Sequence, residues 1–185
     1  MYAIIGLGNP GRRYERTRHN VGFRVIDELS SRLNIGLTAG GEEYDGGAGT
    51  YEGAGFFLIK PLSYMNSSGI AVAQAVEEQS VSLAELLVVC DDANLPPGTL
   101  RIRRSGSDGG HKGLASIIDS LGTEAFARLR IGIGNPPPGV ALIDFVLGEF
   151  CPEEEKVIQE AVLHATEAVL AILGNGLEWA MNAFN

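Results

Sequence analysis

Five polar residues in this 185-residue chain, Asn9, His19, Asn66, Asp91 and His111, occupy apolar or glycine-rich settings from which, taken together, they could do chemistry. Each lies just past an apolar run, at the start of a helical pattern or inside a glycine loop, the places from which α/β proteins build their sites. Imidazole exchanges protons near neutrality, a carboxylate can hold it, and primary amides carry both donors and acceptors. Taken singly, an Asn or His in a loop is a turn former or a helix cap. Their joint appearance is what points to chemistry. Gly6, Gly8 and Gly11 also fit GxGxxG directly after a strand, the phosphate-binding pattern of dinucleotide folds. That fold needs a helix starting within the glycine loop, yet residues 12–20 are mostly charged or polar and carry no apolar stripe. Asp27 and Glu28, at the distance of the ribose-binding acid, fall inside a helical pattern and not at the end of a second strand. Cys90 and Cys151 belong to no CxxC or Cys/His cluster, so both are expected to be reduced, buried thiols. Cys90 adjoins Asp91, but on a strand its side chain points to the opposite face.

The elements that must position these residues can be read from periodicity. Residues 2–7 form an apolar strand that ends in the Gly8-Asn9-Pro10-Gly11 loop, and 12–20 is cationic loop. From Val21, Val25, Ile26, Leu29 and Leu33 share one helical face, with Asn20 as N-cap. Residues 47–53 and 56–60 read as strands around Gly53-Ala54-Gly55, the second stopped by Pro61. Asn66 precedes a helix carrying Ile70, Ala73 and Val76. Leu86 to Val89 is a short strand running into Asp91-Asp92, and Leu100 and Ile102 alternate with Arg101 and Arg103 on another. A glycine loop over 106–113 leads into a helix with Leu114, Ile117, Ile118 and Leu121; Leu129, Ile131 and Ile133 follow as a strand. Pro152 and Glu153-Glu154-Glu155 open a C-terminal amphipathic helix with Ile158, Ala161, Val162, Ala165, Val169 and Ile172 on one stripe, ending before Gly174. Gly40-Gly41 and Pro136-Pro137-Pro138 read as surface connections. The expected fold is α/β: a single-domain sandwich over residues 1–185, a twisted mixed β-sheet flanked by helices.

Composition is that of an ordinary globular domain, 45% hydrophobic and 20% charged. No basic leader precedes the first strand, and no apolar stretch approaches the roughly 20 residues of a membrane span, so a cytoplasmic location away from membranes is expected. The net charge of -9 argues against a nucleic-acid partner until the distribution is considered. All Lys and Arg except Lys156 lie at or before Arg130, mostly as Arg12/Arg13/Arg16/Arg18, Arg101/Arg103/Arg104 with Lys112, and Arg128/Arg130. A basic face on an acidic protein is compatible with that grouping.

The five residues and their surroundings together resemble a family. Ile5-Gly6-Leu7-Gly8-Asn9-Pro10-Gly11, Tyr14 and Thr17-Arg18-His19-Asn20-Val21-Gly22 resemble the first signature of bacterial-type peptidyl-tRNA hydrolases. Pro61, Tyr64-Met65-Asn66, Ser68-Gly69, Asp91-Asp92, Leu95-Pro96-Pro97-Gly98, Gly109-Gly110-His111 with Gly113, Arg128 to Gly134 and Phe145-Val146-Leu147-Gly148 resemble the later ones, in order. The resemblance implies an enzyme that hydrolyses the ester joining a peptide to the terminal ribose of tRNA, freeing ribosome-stalled peptide and recyclable tRNA. It implies histidine-activated water, no metal and no cofactor, with His19 as catalytic base, Asp91 as the carboxylate holding it, and Asn9 and Asn66 as the amide pair around the reacting carbonyl. Imidazole, with an unperturbed pKa near ~6.5, suits the first role, and one well-placed oxyanion donor is worth about 10²–10³ in rate. Tyr14, Tyr64, Met65, Asn66, His111 and Lys112 are implied to contact substrate, and Arg101, Arg103 and Arg130 to contact tRNA phosphates. The implied partner is peptidyl-tRNA, through its acceptor end and its peptide; no obligate protein partner is expected, and the enzyme is expected to be a monomer. Lys112 departs from the family pattern, which has Asn there; it keeps donors, loses the acceptor and adds charge. A catalytically silent RNA-binding relative and a metal-free esterase of small acyl esters remain as alternatives, the latter leaving the basic face unexplained.

Overall fold

The computed structural model describes residues 1–40 and 42–185. Seven strands make one sheet: β1 (Tyr2–Gly6), β2 (Thr38–Ala39), β3 (Tyr44–Tyr51), β4 (Ala54–Pro61), β5 (Leu86–Asp92), β6 (Leu100–Arg103) and β7 (Ala127–Gly132), in the order β2-β3-β4-β1-β5-β7-β6. The centre is parallel, β4-β1-β5-β7, and antiparallel pairs close both sides. The helices are α1 (Val21–Leu33), α2 (Ser68–Glu78), α3 (Lys112–Leu121), α4 (Leu142–Val146), α5 (Pro152–Asn175) and α6 (Leu177–Phe184). The expected α/β sandwich with a mixed sheet is the observed architecture.

Alternation along the strands sorts the interior into two layers. Ile4, Leu58, Leu87, Val89 and Leu129 face α1 and α5, while Ala3, Ile5, Ile59, Val88 and Cys90 face α2 and α3. Asp91, one residue beyond Cys90, therefore turns to the α1 side. The chain leaves β1 for β4 on one flank and crosses back to β5 on the other, so the carboxyl ends of β1 and β5 frame a topological switch point, where open α/β sheets bind ligands.

Gly6 and Gly8 of the GxGxxG-like segment serve this packing. A Cβ on Gly6 would sit 2.4 Å from the Gly22 carbonyl oxygen, and one on Gly8 would sit 2.5 Å from the Phe23 ring. They let the first turn of α1 lie against β1, where the Phe23 N–H donates to the Leu7 carbonyl at 3.2 Å; α1 begins only at Val21 and not within the glycine loop itself.

Several expectations need correction. β3 starts at Tyr44, three residues before its expected start at 47, in register with β4 from Tyr44↔Pro61 to Tyr51↔Ala54. Gly46, Gly47 and Gly49 conceal it in the sequence, because they supply no alternating side chains. Residues 12–14 and 18–20 form short 3₁₀ turns within the segment read as loop. Helix α5 runs through Gly174 to Asn175, and α4 and α6 lie where the spacing predicts no element. By length and composition α5 could span a membrane, contrary to the sequence reading, but its expected stripe is buried on the sheet and Glu160, His164 and Glu167 are exposed opposite. Cys90 is buried, whereas Cys151 is exposed at the start of α5. Of the Gly40-Gly41 connection, Gly41 lies outside the described residues.

Candidate active site

Asp91 is the penultimate residue of β5, its side chain is 3% exposed, and two imidazoles converge on one of its oxygens. His19 Nδ1 lies 2.7 Å from Asp91 Oδ1, and His111 Nε2 lies 3.0 Å from the same atom. Burial alone would raise the carboxyl's pKa; the pull of His111 and His19, and their hydrogen bonds, outweighs it and holds the group well below the usual carboxylate range. An ionised carboxylate only accepts, so both facing ring nitrogens carry protons.

The opposite ring nitrogens differ. Nδ1 of His111 accepts from the backbone N–H groups of Gly113 at 3.2 Å and Leu114 at 3.3 Å, so the ring caps α3. Both of its nitrogens are thereby engaged within the protein. Nε2 of His19 has no hydrogen-bond partner among the described residues; with Nδ1 protonated toward Asp91, it keeps its lone pair. His19 is held from the chain as well. It sits in the 3₁₀ turn before α1, and Asn20, expected to cap that helix, instead clamps the backbone of Asn9: Asn9 N–H donates to Asn20 Oδ1 and Asn20 Nδ2 donates to the Asn9 carbonyl, both at 2.9 Å.

Asn9 in turn accepts the Met65 N–H on its Oδ1 at 2.8 Å. Since a backbone N–H can face only the oxygen, the Asn9 amide NH₂ is the group left without a partner among the described residues and remains free to donate. Met65 is 4% exposed, so it forms floor and not a deformable surface. A Cβ on Gly113 would lie 2.5 Å from Met65 Sδ and 3.1 Å from His111 Cε1, so that glycine lets the Met65 turn and the His111 loop meet. Asn66 is exposed beside Met65 and has no internal hydrogen bond among the described residues; Tyr64 is exposed and meets Tyr14 edge-on at 6.2 Å. The Asn9/Met65 pair and the His19/Asp91/His111 cluster thus meet at the carboxyl ends of β1 and β5.

A cleft of about 450 Å³ opens from His19, Asp91 and His111. Lys112, Arg130 and Asn94 stand on its polar side, and Leu142, Ile143 and Val146 of α4 form an apolar wall. Sequence reasoning misses this wall, because α4 spans only five residues, too few for a periodic signal. His19, Asp91 and His111 bring three ligand-type atoms within 4.8 Å. They do not suit a metal: the His111 nitrogen facing Asp91 must carry a proton while the other receives two backbone N–H groups.

A family model described as peptidyl-tRNA hydrolase matches residues 3–185. The chain belongs to the peptidyl-tRNA hydrolase family. It is 51% identical over all 185 residues to a peptidyl-tRNA hydrolase of Caldanaerobacter subterraneus subsp. tengcongensis, covering 100% of both chains. With one of Chlorobium phaeobacteroides it shares 45% identity, covering 100% of this chain and 98% of that one. The crystal structure of peptidyl-tRNA hydrolase from Acinetobacter baumannii superposes with a TM-score of 0.94 at 34% identity, covering 100% of this chain and 94% of that chain.

Within this peptidyl-tRNA hydrolase fold the arginines separate into anchors and free cations. Arg128, fully buried, donates to the carbonyls of Gly106, Ser107, Glu124 and Phe126. Arg130, expected among the phosphate contacts, bonds Asp92 at 3.3 Å and the Ser107 carbonyl at 2.8 Å; it pins the loop that carries His111. His111, expected to contact substrate, lines the cleft with both ring nitrogens spent. Arg18 stacks on Phe145 and Phe150 and bonds Glu154, which ties the His19 turn to the Phe145–Gly148 segment. Arg104 pairs with Glu178. Arg101, Arg103 and Lys112 have no carboxylate partner among the described residues, and Lys112 is exposed at the first turn of α3.

Proposed function

We propose that His19 activates water to hydrolyse the ester bond of peptidyl-tRNA, the activity that the family and structural matches support. The observation that carries this mechanism is the free Nε2 of His19, whose other nitrogen is fixed on ionised Asp91. Water oxygen attacks the ester carbonyl as its proton passes to Nε2, and Asp91 stabilises the resulting imidazolium. The tetrahedral oxyanion is met by the free Asn9 amide, with Asn66 as a second donor from the facing turn. Collapse breaks the bond to the ribose oxygen, which takes the proton back from His19. The products are a peptide with a free carboxyl group and tRNA with a free 3′-hydroxyl.

Tyr64 and the Met65 floor are assigned to the peptide side, where Leu62 and Ile70 add exposed apolar surface, and Tyr14 to the mouth of the site. Lys112, Arg101 and Arg103 are assigned to phosphates. The enzyme is read as a cytoplasmic monomer without an obligate protein partner. The test is hydrolysis by purified protein of N-acyl-aminoacyl-tRNA beside free aminoacyl-tRNA, with no metal added and chelator present. Turnover of the N-acylated substrate alone is expected. Binding without turnover would replace this reading with the RNA-binding alternative.

A further inference from the structure

Four arginines crowd into residues 12–18 of a chain whose net charge is -9, and the structure divides them. Arg16 faces Glu149 at 3.6 Å, and Arg18 is stacked and paired inside the fold. Arg12 and Arg13 are exposed and have no carboxylate partner among the described residues; Glu15 is the one acid in their turn. The turn that carries them is closed by hydrogen bonds. Gly11, at φ 100°, turns the chain out of the site, Tyr14 N–H returns to the Gly11 carbonyl at 3.0 Å, and Thr17 bonds the Tyr14 carbonyl through its amide at 2.9 Å and its hydroxyl at 2.8 Å. The Arg13 guanidinium lies 4.5 Å from the centre of the Tyr14 ring, which meets Tyr64, next but one to Asn66. Arg12 and Arg13 thus stand on a hydrogen-bonded turn past the carboxyl end of β1, with Arg13 against the Tyr14 ring that meets Tyr64, whereas Arg101 and Arg103 lie on the edge strand β6, beyond β5 and β7.

We propose that Arg12 and Arg13 form a second phosphate-binding site, which takes the backbone of the single-stranded 3′ end of the tRNA next to the scissile ester. The proposal rests on the reading of this chain as a peptidyl-tRNA hydrolase. An ester delivered to His19 brings its neighbouring nucleotides to the mouth of the site, and two cations on a hydrogen-bonded turn there meet them without ordering a loop. Arg101 and Arg103, on a far strand, are placed to meet phosphates farther along the acceptor arm.

Salt dependence separates the two sites, because each phosphate contact releases counterions and contributes about 0.7 to the logarithmic salt slope on a single strand. The experiment compares kcat/KM against salt for wild type, Arg12→Ala/Arg13→Ala, Arg101→Ala/Arg103→Ala and, as a charge control, Lys156→Ala. Two substrates are used: an N-acyl-aminoacyl-tRNA and the same ester on the 3′-terminal trinucleotide alone. Arg12→Ala/Arg13→Ala should flatten the slope on both substrates, by up to about 1.4 on full-length tRNA and by less on the trinucleotide, which carries few condensed counterions. Arg101→Ala/Arg103→Ala should flatten it only on full-length tRNA, and Lys156→Ala on neither. An unchanged slope for Arg12→Ala/Arg13→Ala, or a change confined to full-length tRNA, overturns the proposal. Lack of hydrolysis by wild type would instead refute the functional reading.

Discussion

His19 and His111 point at the same oxygen of the same carboxylate, 4.8 Å apart between ring centres, yet the chain holds them in unlike ways. The His19 side is a tight turn locked by the Asn9–Asn20 clamp and by Arg18, and it leaves one ring nitrogen bare. The His111 side is a glycine loop fastened by Arg128 and Arg130, and it feeds the remaining nitrogen two helix N–H groups. Residue type and carboxylate partner are identical, so the second nitrogen distinguishes them: one imidazole keeps a bare nitrogen, which the proposed mechanism uses as the base, and the other closes a helix and steadies Asp91.

The largest effect should come from removing the base. His19→Ala is expected to slow single-turnover hydrolysis by at least about 10²–10⁴-fold, with tRNA binding retained in a gel-shift or anisotropy titration. Comparable turnover by the variant would dissolve the distinction between the two histidines. Asp91→Asn should follow, with a loss of at least about 10², because an amide cannot support the imidazolium and can select the wrong tautomer. The same substitution has a stability signature. The carboxyl's native pKa is depressed, so its contribution is present above the unfolded value near ~3.9 and is lost as pH falls below that toward the native value. Thermal melts from pH 6 to pH 2 should therefore fall less steeply for Asp91→Asn than for wild type; parallel curves would mean that Asp91 is not ionised in the fold.

His111→Ala should cost less in rate, about tenfold, and about 1 kcal/mol of stability from the lost helix cap. His111→Asn, which can still cap α3, should recover more stability than rate. A rate loss equal to that of His19→Ala would make His111 a second proton carrier and not a strut. The smallest effect is expected at Lys112, exposed on the rim. Lys112→Asn should leave the single-turnover rate at saturating enzyme within a few-fold and act mainly on affinity; a large drop in that rate would move Lys112 into the chemistry.

The same pair shows what a sequence can carry. The positions of His19, Asn9, Asp91 and His111 after strands and in loops are legible because alternation and helical spacing mark where elements end. So is the opposite facing of Cys90 and Asp91, which follows from strand geometry alone. What His111 does is not legible, since its duty depends on where α3 begins and on a carboxylate twenty residues away. By sequence Arg18, Arg128 and Arg130 belong with a basic face; the carbonyls and carboxylates that bind them come near only in the fold. Local spacing offers Asn20 the role of a cap, while its real partner, Asn9, is met only when β1 and α1 pack together.

The tautomers of the two histidines test this division most directly. Ring ¹⁵N chemical shifts and two-bond couplings of the wild-type protein, measured at a pH where both rings are neutral, should place the proton on Nδ1 of His19 and on Nε2 of His111. Assignment follows from the loss of one set of signals in His19→Ala and of the other in His111→Ala. If His19 carries its proton on Nε2, or if both rings share one tautomer, the bare nitrogen assigned to water activation does not exist.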